Sequence, residues 1–197
     1  MSVPPIEVKP VTLTGATVRL EPLSGEHSEG LFAAAQDEDI WPFTTGGSSE
    51  EEYGAWFDEA MRQQHSGESL VFAVRLRGDG KLVGSTRYMN IAAGDRRLEI
   101  GTTWYNSAVW GGKVNPECKL LLMTHAFEQL GCYRVEYRCD ARNSRSRAAI
   151  LKLGATEEGI LRRHKRTDDD FWRDTIQFSI LDSEWPKVKA GLEARLT

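Results

Sequence analysis

Residues 98–154 read LEIGTTWYNSAVWGGKVNPECKLLLMTHAFEQLGCYRVEYRCDARNSRSRAAILKLG, and this stretch decides the fold. It orders a strand, a Gly-bearing loop, a helix, a second strand and a second helix. The first helix is predicted to start at Asn115-Pro116-Glu117, because Asn is a preferred cap, Pro fits the first helical position and Glu suits the positive end of the dipole. Leu120, Met123, Phe127 and Leu130 then recur at helical spacing, and Gly131 is the stop signal. Asn143 caps the second helix and Gly154 ends it. A loop that feeds a helix N-terminus presents free N–H groups and the positive end of the dipole, a setting suited to an anion such as a phosphate.

The strand–helix–strand order from Leu98 to Asp140 implies a parallel pair joined by a right-handed crossover. Upstream, residues 1–14 hold prolines and little periodicity, and are predicted to form a flexible arm before a single domain at 15–197. Thr17–Leu23 alternates as a strand, and Ser24 caps a short helix to about Gln36. Asp37–Gly47 is a polar connection carrying Ile40, Trp41 and Phe43. Ser48/Glu51 and Ser49/Glu52 are two candidate capping boxes for a helix whose Tyr53, Trp56, Phe57, Ala60 and Met61 form a core-facing stripe. Leu70–Arg77 and Lys81–Asn90 read as strands joined at Gly78-Asp79-Gly80. With the strand at Leu98 they make an antiparallel meander. Downstream, Glu157–Lys165 and Phe171–Leu181 flank the acidic turn Thr167-Asp168-Asp169-Asp170. A last helix from Ser183 carries Trp185, Val188, Leu192 and Leu196.

The 197 residues suffice for one domain with a substantial core. A hydrophobic fraction of 40% and a charged fraction of 27% are ordinary for a globular protein. A net charge of −4 and a pI near 5.7 oppose a general nucleic-acid binder. Cys118, Cys132 and Cys139 have no ligand-like spacing and read as reduced thiols, so no metal is expected. No signal peptide or long apolar run is present, which predicts a cytoplasmic protein without a membrane partner.

The ordered motifs of residues 98–154 resemble the acetyl-CoA-binding core of the GNAT superfamily of N-acetyltransferases, in the branch of the ribosomal-protein N-terminal (alanine/serine) acetyltransferases and their small-molecule relatives. Asn143, Ser146, Leu153 and Gly154 fit that family's later helix, with Ala155 where an aromatic is usual. The family's pyrophosphate loop, Gln/Arg-x-x-Gly-x-Gly/Ala, falls on Trp110, Lys113 and Asn115, so this chain departs from it. The weaker resemblance runs from about Val18 to Leu181. It implies a mixed α/β (α+β) fold. The central sheet would be mostly antiparallel, with a splayed parallel strand pair and helices on both faces. It also implies acetyl-CoA as donor, held by Trp104, Tyr105, Trp110, Gly111, Gly112, Lys113, Val114, Asn115, Asn143, Ser146 and Arg147.

Acetyl transfer to an amine needs the thioester held near the nucleophile, a route for the ammonium proton and a donor to the developing oxyanion. The resemblance places the oxyanion donor on the backbone near Trp104–Tyr105. Glu99 is the candidate base, directly or through water; the alternative is a solvated carboxylate with a cross-strand Arg, and alternation leaves its facing open. The family's thiolate-protonating Tyr falls on Ile150. Tyr105 or Ser146 is left to serve, or the thiolate leaves unaided, which a thiol pKa of about 8.5 permits. Lys113, Arg142, Arg145 and Arg147 supply positive charge for phosphates. Trp41 and Phe43 either wall the acceptor pocket or plug the core edge. Asp168–Asp170 and Asp174 either attract a cationic amine or form a solubilising turn. His125 and His164 read as structural. The function these features predict is acetyl-CoA-dependent acetylation of a primary amine, on a peptide N-terminus or a small molecule. The rivals are a CoA-binding sensor with altered catalysis and, more remotely, a basic nucleic-acid-associated helix at Arg142–Arg147. Homodimers are common among the relatives and are a further expectation.

Overall fold

The computed structural model describes residues 3–167 and 170–197. Its strands are β1 (Leu13–Thr14), β2 (Val18–Pro22), β3 (Leu70–Leu76), β4 (Leu82–Ala92), β5 (Arg97–Tyr105), β6 (Arg134–Asp140), β7 (Thr156–Arg166) and β8 (Trp172–Leu181). They form one eight-stranded sheet in the order β1-β2-β3-β4-β5-β6-β8-β7. Every neighbouring pair is antiparallel except β5–β6, which is parallel.

Strand periodicity explains why helices cover both faces. On β3, Leu70, Phe72 and Val74 point into a core shared with Leu122, Leu153 and Val188. These come from α3 (Val114–Thr124), α4 (Ser144–Leu153) and α5 (Trp185–Ala194). Val71 and Ala73 point the other way, against Leu31 of α1 (Ser28–Ala34) and the aromatic stripe of α2 (Glu50–His65). Tyr53, Trp56 and Phe57 are core side chains, as their spacing predicts. Of the two candidate pairs Ser49/Glu52 supplies the cap, though not the reciprocal box: the Ser49 hydroxyl accepts from the Glu52 N–H at 3.2 Å and donates to Glu52 Oε2 at 2.7 Å, so the Glu52 carboxylate meets the hydroxyl and not the Ser49 N–H.

Two expectations change. Helix α3 begins at Val114 with Lys113 in the cap position, so Asn115 and Pro116 lie inside the first turn and Asn115 is not the cap. Pro is tolerated there because first-turn N–H groups have no intrahelical partner. The helix ends in a π turn at His125–Gln129, where the Leu130 N–H reaches the His125 carbonyl at 3.0 Å, before Gly131 at φ 69°. Residues 3–12 lack regular structure but do not trail free. Ile6 and Leu13 are buried, the Ile6 N–H donates to the Ala93 carbonyl at 3.1 Å, and Arg96 Nη1 donates to the Pro4 carbonyl at 2.6 Å. Finally, Asp168 and Asp169 of the acidic turn lie outside the described residues. No helix among the described residues is long and apolar enough to cross a membrane.

One carboxylate ties the first sheet strands to α3. Glu117 is 5% exposed and accepts from the backbone N–H groups of Ala16 at 2.8 Å and of Thr17 and Val18 at 2.7 Å. Gly15 leaves room for it, since a Cβ at Gly15 would lie 2.5 Å from the Glu117 carboxyl carbon. Glu117→Ala orphans these buried donors, so it is expected to lower unfolding free energy by at least about 3 kcal/mol. Urea unfolding measures this. A loss below about 1 kcal/mol, within the range of an ordinary exposed substitution, would refute the anchoring role.

Candidate active site

The parallel pairing of β5 with β6 runs only from Arg97↔Arg134 to Glu99↔Glu136. Beyond Glu99 the strands part, and the β6-facing backbone groups of β5 are left without a strand partner. A bulge sets the divergence. Between the pairs Arg87↔Gly101 and Ser85↔Trp104, β5 carries one residue more than β4, and Thr102 takes a left-handed φ of 45°. An extra residue in one strand bends it and raises its twist. A left-handed β-branched residue is a strained one, of the kind found at functional sites. The resulting V holds a cavity of ≈ 460 Å³, with β5 residues 100–105 on one wall and Tyr137–Asp140 of β6 on the other.

At one end of the cavity the loop after β5 meets the start of α4. The loop after β5 turns through a short 3-10 segment, Ser107–Val109, and Gly111 takes φ 72°. Trp110 donates its indole N–H to the Tyr105 carbonyl at 2.8 Å, and the Arg145 guanidinium lies 3.7 Å over its ring. On α4, Asn143 is the cap the sequence predicts: its Oδ1 accepts from the Ser146 N–H at 2.9 Å. Trp104, Tyr105, Trp110, Gly111 and Asn115 line the cavity, as do Asn143, Arg145 and Ser146. Four of the residues expected at the cofactor are placed elsewhere. Lys113 donates its ammonium to the Leu196 carbonyl, Arg147 pairs with Glu157 at 2.9 Å, Val114 is buried in the core, and Gly112 is outside the cavity wall. Lys113 and Arg147 are long enough to reach partners that the local sequence does not contain. Arg142 likewise turns to Asp140 at 2.8 Å and stacks 4.0 Å over Phe171.

Glu99 faces the cavity, which settles the facing that alternation leaves open. Its neighbours Leu98 and Ile100 point into the opposite core. The carboxylate is 4% exposed, accepts from Asn90 Nδ2 at 2.7 Å and lies 3.5 Å from Arg138 Nε. Burial is the largest influence on it and pushes its pKa above the usual carboxylate range, while Asn90 and Arg138 hold it down in part. Of the two aromatics before α2, Phe43 lines the cavity. Trp41 does not: it packs 5.3 Å from the Trp104 ring and donates to the Ala35 carbonyl, which makes it a plug at the core edge. Tyr105 lies beside the Cys118 thiol in the α3-side core, and burial drives its phenol far up. His164 lines the cavity, with its pKa lowered first by burial and then by Arg138, Arg173 and Lys165. His125 is structural, 3.2 Å from the Tyr88 hydroxyl in the core.

The site also contains two residues that motif reading passes over. Lys119 of α3 is 6% exposed, lines the cavity and donates to Thr103 Oγ1 at 2.9 Å. Burial pushes its ammonium down to about 8. Tyr137 of β6 lines the same space with its hydroxyl unpartnered. A signal for Lys119 exists in the sequence: it precedes Leu122, Met123 and Ala126 at i+3, i+4 and i+7, the buried face of the helix. Among the described residues no group of His, Cys, Asp and Glu is placed to hold a metal ion.

Residues 17–156 match the family described as "Acetyltransferase (GNAT) domain". A solved GCN5-related N-acetyltransferase from Brucella melitensis superposes with a TM-score of 0.91 at 31% identity, covering 99% of this chain and 90% of that one. A structure from T. thermophilus, named as a "putative acetyltransferase", gives 0.86 at 33% identity, with 98% and 100% covered. Among curated proteins, the "Putative ribosomal N-acetyltransferase YdaF" of Bacillus subtilis (strain 168) is 32% identical over 112 residues, 56% of this chain and 60% of that protein.

The α4 cap gives a stability test. Asn143→Ala removes the acceptor for the Ser146 N–H and is expected to cost about 1 kcal/mol. For a chain of this size that lowers the melting temperature by about 2–4 °C. Differential scanning calorimetry with an unchanged transition would show that the cap contributes nothing.

Proposed function

The chain belongs to the GNAT acetyltransferase family, and we propose that it transfers an acetyl group from acetyl-CoA directly to a primary amine inside the V between β5 and β6. Acetyl-CoA is the donor that GNAT acetyltransferases use. The observation that carries the reading is the unpaired edge of β5 beyond Glu99, which opens into a cavity that also holds the Glu99 carboxylate. Backbone N–H and C=O groups without partners are strong hydrogen-bonding groups, and the amides of a pantetheine arm are their natural complement. The N-termini of α3 and α4, with Arg145 at the cavity wall, suit the phosphates of the nucleotide end. The relative named for ribosomal N-acetylation favours a protein α-amine as acceptor, with a small-molecule amine as the other candidate.

In this reading the acceptor nitrogen forms a bond to the acetyl carbonyl carbon and the carbon–sulfur bond breaks. A backbone N–H near Trp104–Tyr105 stabilises the oxyanion that forms between these events. Glu99 takes the ammonium proton, directly or through a water. Its raised pKa suits that role, because a base close to working pH combines adequate ionisation with adequate proton affinity. Ile150 lines the cavity where the resembled family carries a protonating Tyr. With Tyr105 in the core beside Cys118, the sulfur leaves as thiolate or takes a proton from Ser146 at the cavity wall.

Glu99→Gln is expected to lower kcat/KM by about 10²–10⁴-fold. A base works only when ionised, so wild-type activity falls as pH drops through the raised pKa of Glu99, and the variant loses that limb of the profile. Identical pH–rate profiles for the two proteins would eliminate Glu99 as base. Binding separates the charges at the mouth. Arg145→Glu is expected to weaken CoA binding by about tenfold or more. Lys113→Glu, with its side chain already turned to the C-terminus, is expected to leave the CoA affinity within about threefold. Isothermal calorimetry with CoA reads both, and the reverse ranking would reassign the phosphate contact to Lys113.

A further inference from the structure

Lys119 enters the V from the α3 side, opposite Glu99, and bridges its two walls. Its ammonium donates to Thr103 Oγ1 of β5 at 2.9 Å and lies 5.7 Å from the Tyr137 ring of β6. The Thr103 hydroxyl is itself 2.8 Å from Thr86 Oγ1 on β4, so the two threonines satisfy each other. Among the described residues Thr103 is the one hydrogen-bond partner of the ammonium, the Tyr137 ring is its other contact, and no carboxylate forms an ion pair with it. Tyr137 lines the same cavity, and its buried hydroxyl has no hydrogen-bond partner among the described residues. Both side chains are more than nine-tenths buried.

A methyl group needs nothing of this kind. An acetyl group brings one acceptor, the thioester carbonyl oxygen, which in this reading goes to the backbone N–H near Trp104–Tyr105, and leaving the buried ammonium and phenol without an acceptor of their own is costly. The pantetheine amides do not cure the deficit, since the free edge of β5 is their complement. A carboxylate does: it is anionic and offers two oxygens, one to each donor, in charge-assisted bonds. We propose that the V binds acyl donors whose acyl chain ends in a carboxylate, a short dicarboxylic acyl thioester of CoA, with Lys119 and Tyr137 holding that terminal carboxylate. This rests on the V being the thioester site. The transfer step is unchanged in balance. The amine nitrogen bonds to the thioester carbonyl carbon, the carbon–sulfur bond breaks, Glu99 takes the ammonium proton and CoA leaves as thiolate. The distal carboxylate stays ion-paired throughout and ends on the product amide.

The test needs no acceptor. Isothermal calorimetry of the whole chain with CoA, acetyl-CoA, butyryl-CoA and succinyl-CoA compares donors, the last two sharing a four-carbon chain and differing in the carboxylate. Succinyl-CoA is expected to bind at least about tenfold more tightly than butyryl-CoA. Lys119→Met should abolish that ratio, and Tyr137→Phe should reduce it. Tyr137→Phe keeps the ring in place, so it carries the test if Lys119→Met does not fold, as judged by its melting transition. Equal affinities for the two thioesters in the wild type would overturn the proposal while leaving the V as the thioester site. So would a Lys119→Met variant that weakens every donor alike, because Lys119 would then contact the pantetheine arm. Acyl mass added to the protein itself and lost in Lys119→Met would make Lys119 a nucleophile, overturning its role as an anion partner. No binding of any CoA species would remove the V as the thioester site and the proposal with it.

Discussion

The structure depends on how briefly β5 and β6 stay together. Their parallel register spans Arg97↔Arg134 to Glu99↔Glu136, and everything the site offers lies beyond that point. The vertex is electrostatically demanding, because its last pair sets two buried carboxylates side by side on neighbouring strands. Guanidinium groups resolve the conflict. Arg138 lies 3.5 Å from Glu99 and 3.6 Å from Glu136, and Arg134 approaches Glu136 at 2.8 Å. Breaking such a cluster by removing one partner leaves a buried charge uncompensated, which costs far more than an exposed pair contributes. The vertex is therefore held closed by charge while the bulge at Thr102 steers β5 away above it.

The same arrangement shapes the chemistry. Glu99 is both a member of the vertex cluster and a wall of the cavity. Burial raises its pKa, and Arg138 and Asn90 limit the rise, so the carboxylate stays near a partner while facing the space where an amine would lose its proton. On the far side of the V the balance differs. Among the described residues Lys119 has no carboxylate to meet it, and burial lowers its pKa to about 8. The two walls thus present a compensated carboxylate on one face of the sheet and, among the described residues, a lysine without an ion-pair partner on the α3 side. An opening of this polarity selects what lies in it at both ends.

Rigidity reaches the site through long-range ties. Glu117 sits on the helix that supplies Asn115 and Lys119, and its carboxylate holds the backbone at Ala16, Thr17 and Val18 about 100 residues earlier in the chain. Trp110 and Arg145 join the loop after β5 to the start of α4 by stacking. Trp41 and Trp104 lock the connection before α2 to the back of β5, which leaves Phe43 at the cavity wall. Catalytic geometry tolerates little slack, and these contacts fix the walls from both faces of the sheet.

The sequence by itself determined what is local. Alternation and helical spacing specified the order of elements, and Asn143, Gly131 and Gly154 marked helix ends because caps and left-handed stops need those residue types whatever surrounds them. The ordered motifs of residues 98–154 also carried the family. What the tertiary structure decided was where long side chains go. Lys113 reads as a phosphate contact from its place in the loop, yet it meets the Leu196 carbonyl 83 residues away. Arg147 is spent on Glu157, and Asn115 lies inside a helix it was expected to cap. Glu99 could face either way until the core beneath α3 and α5 claimed its neighbours Leu98 and Ile100. Lys119 shows the opposite case: its burial is legible in helical spacing, but its partners Thr103 and Tyr137 lie on two strands that only the closed sheet brings together. A local pattern fixes backbone conformation, while the partner of a charged side chain depends on which distant atoms the fold places within its reach.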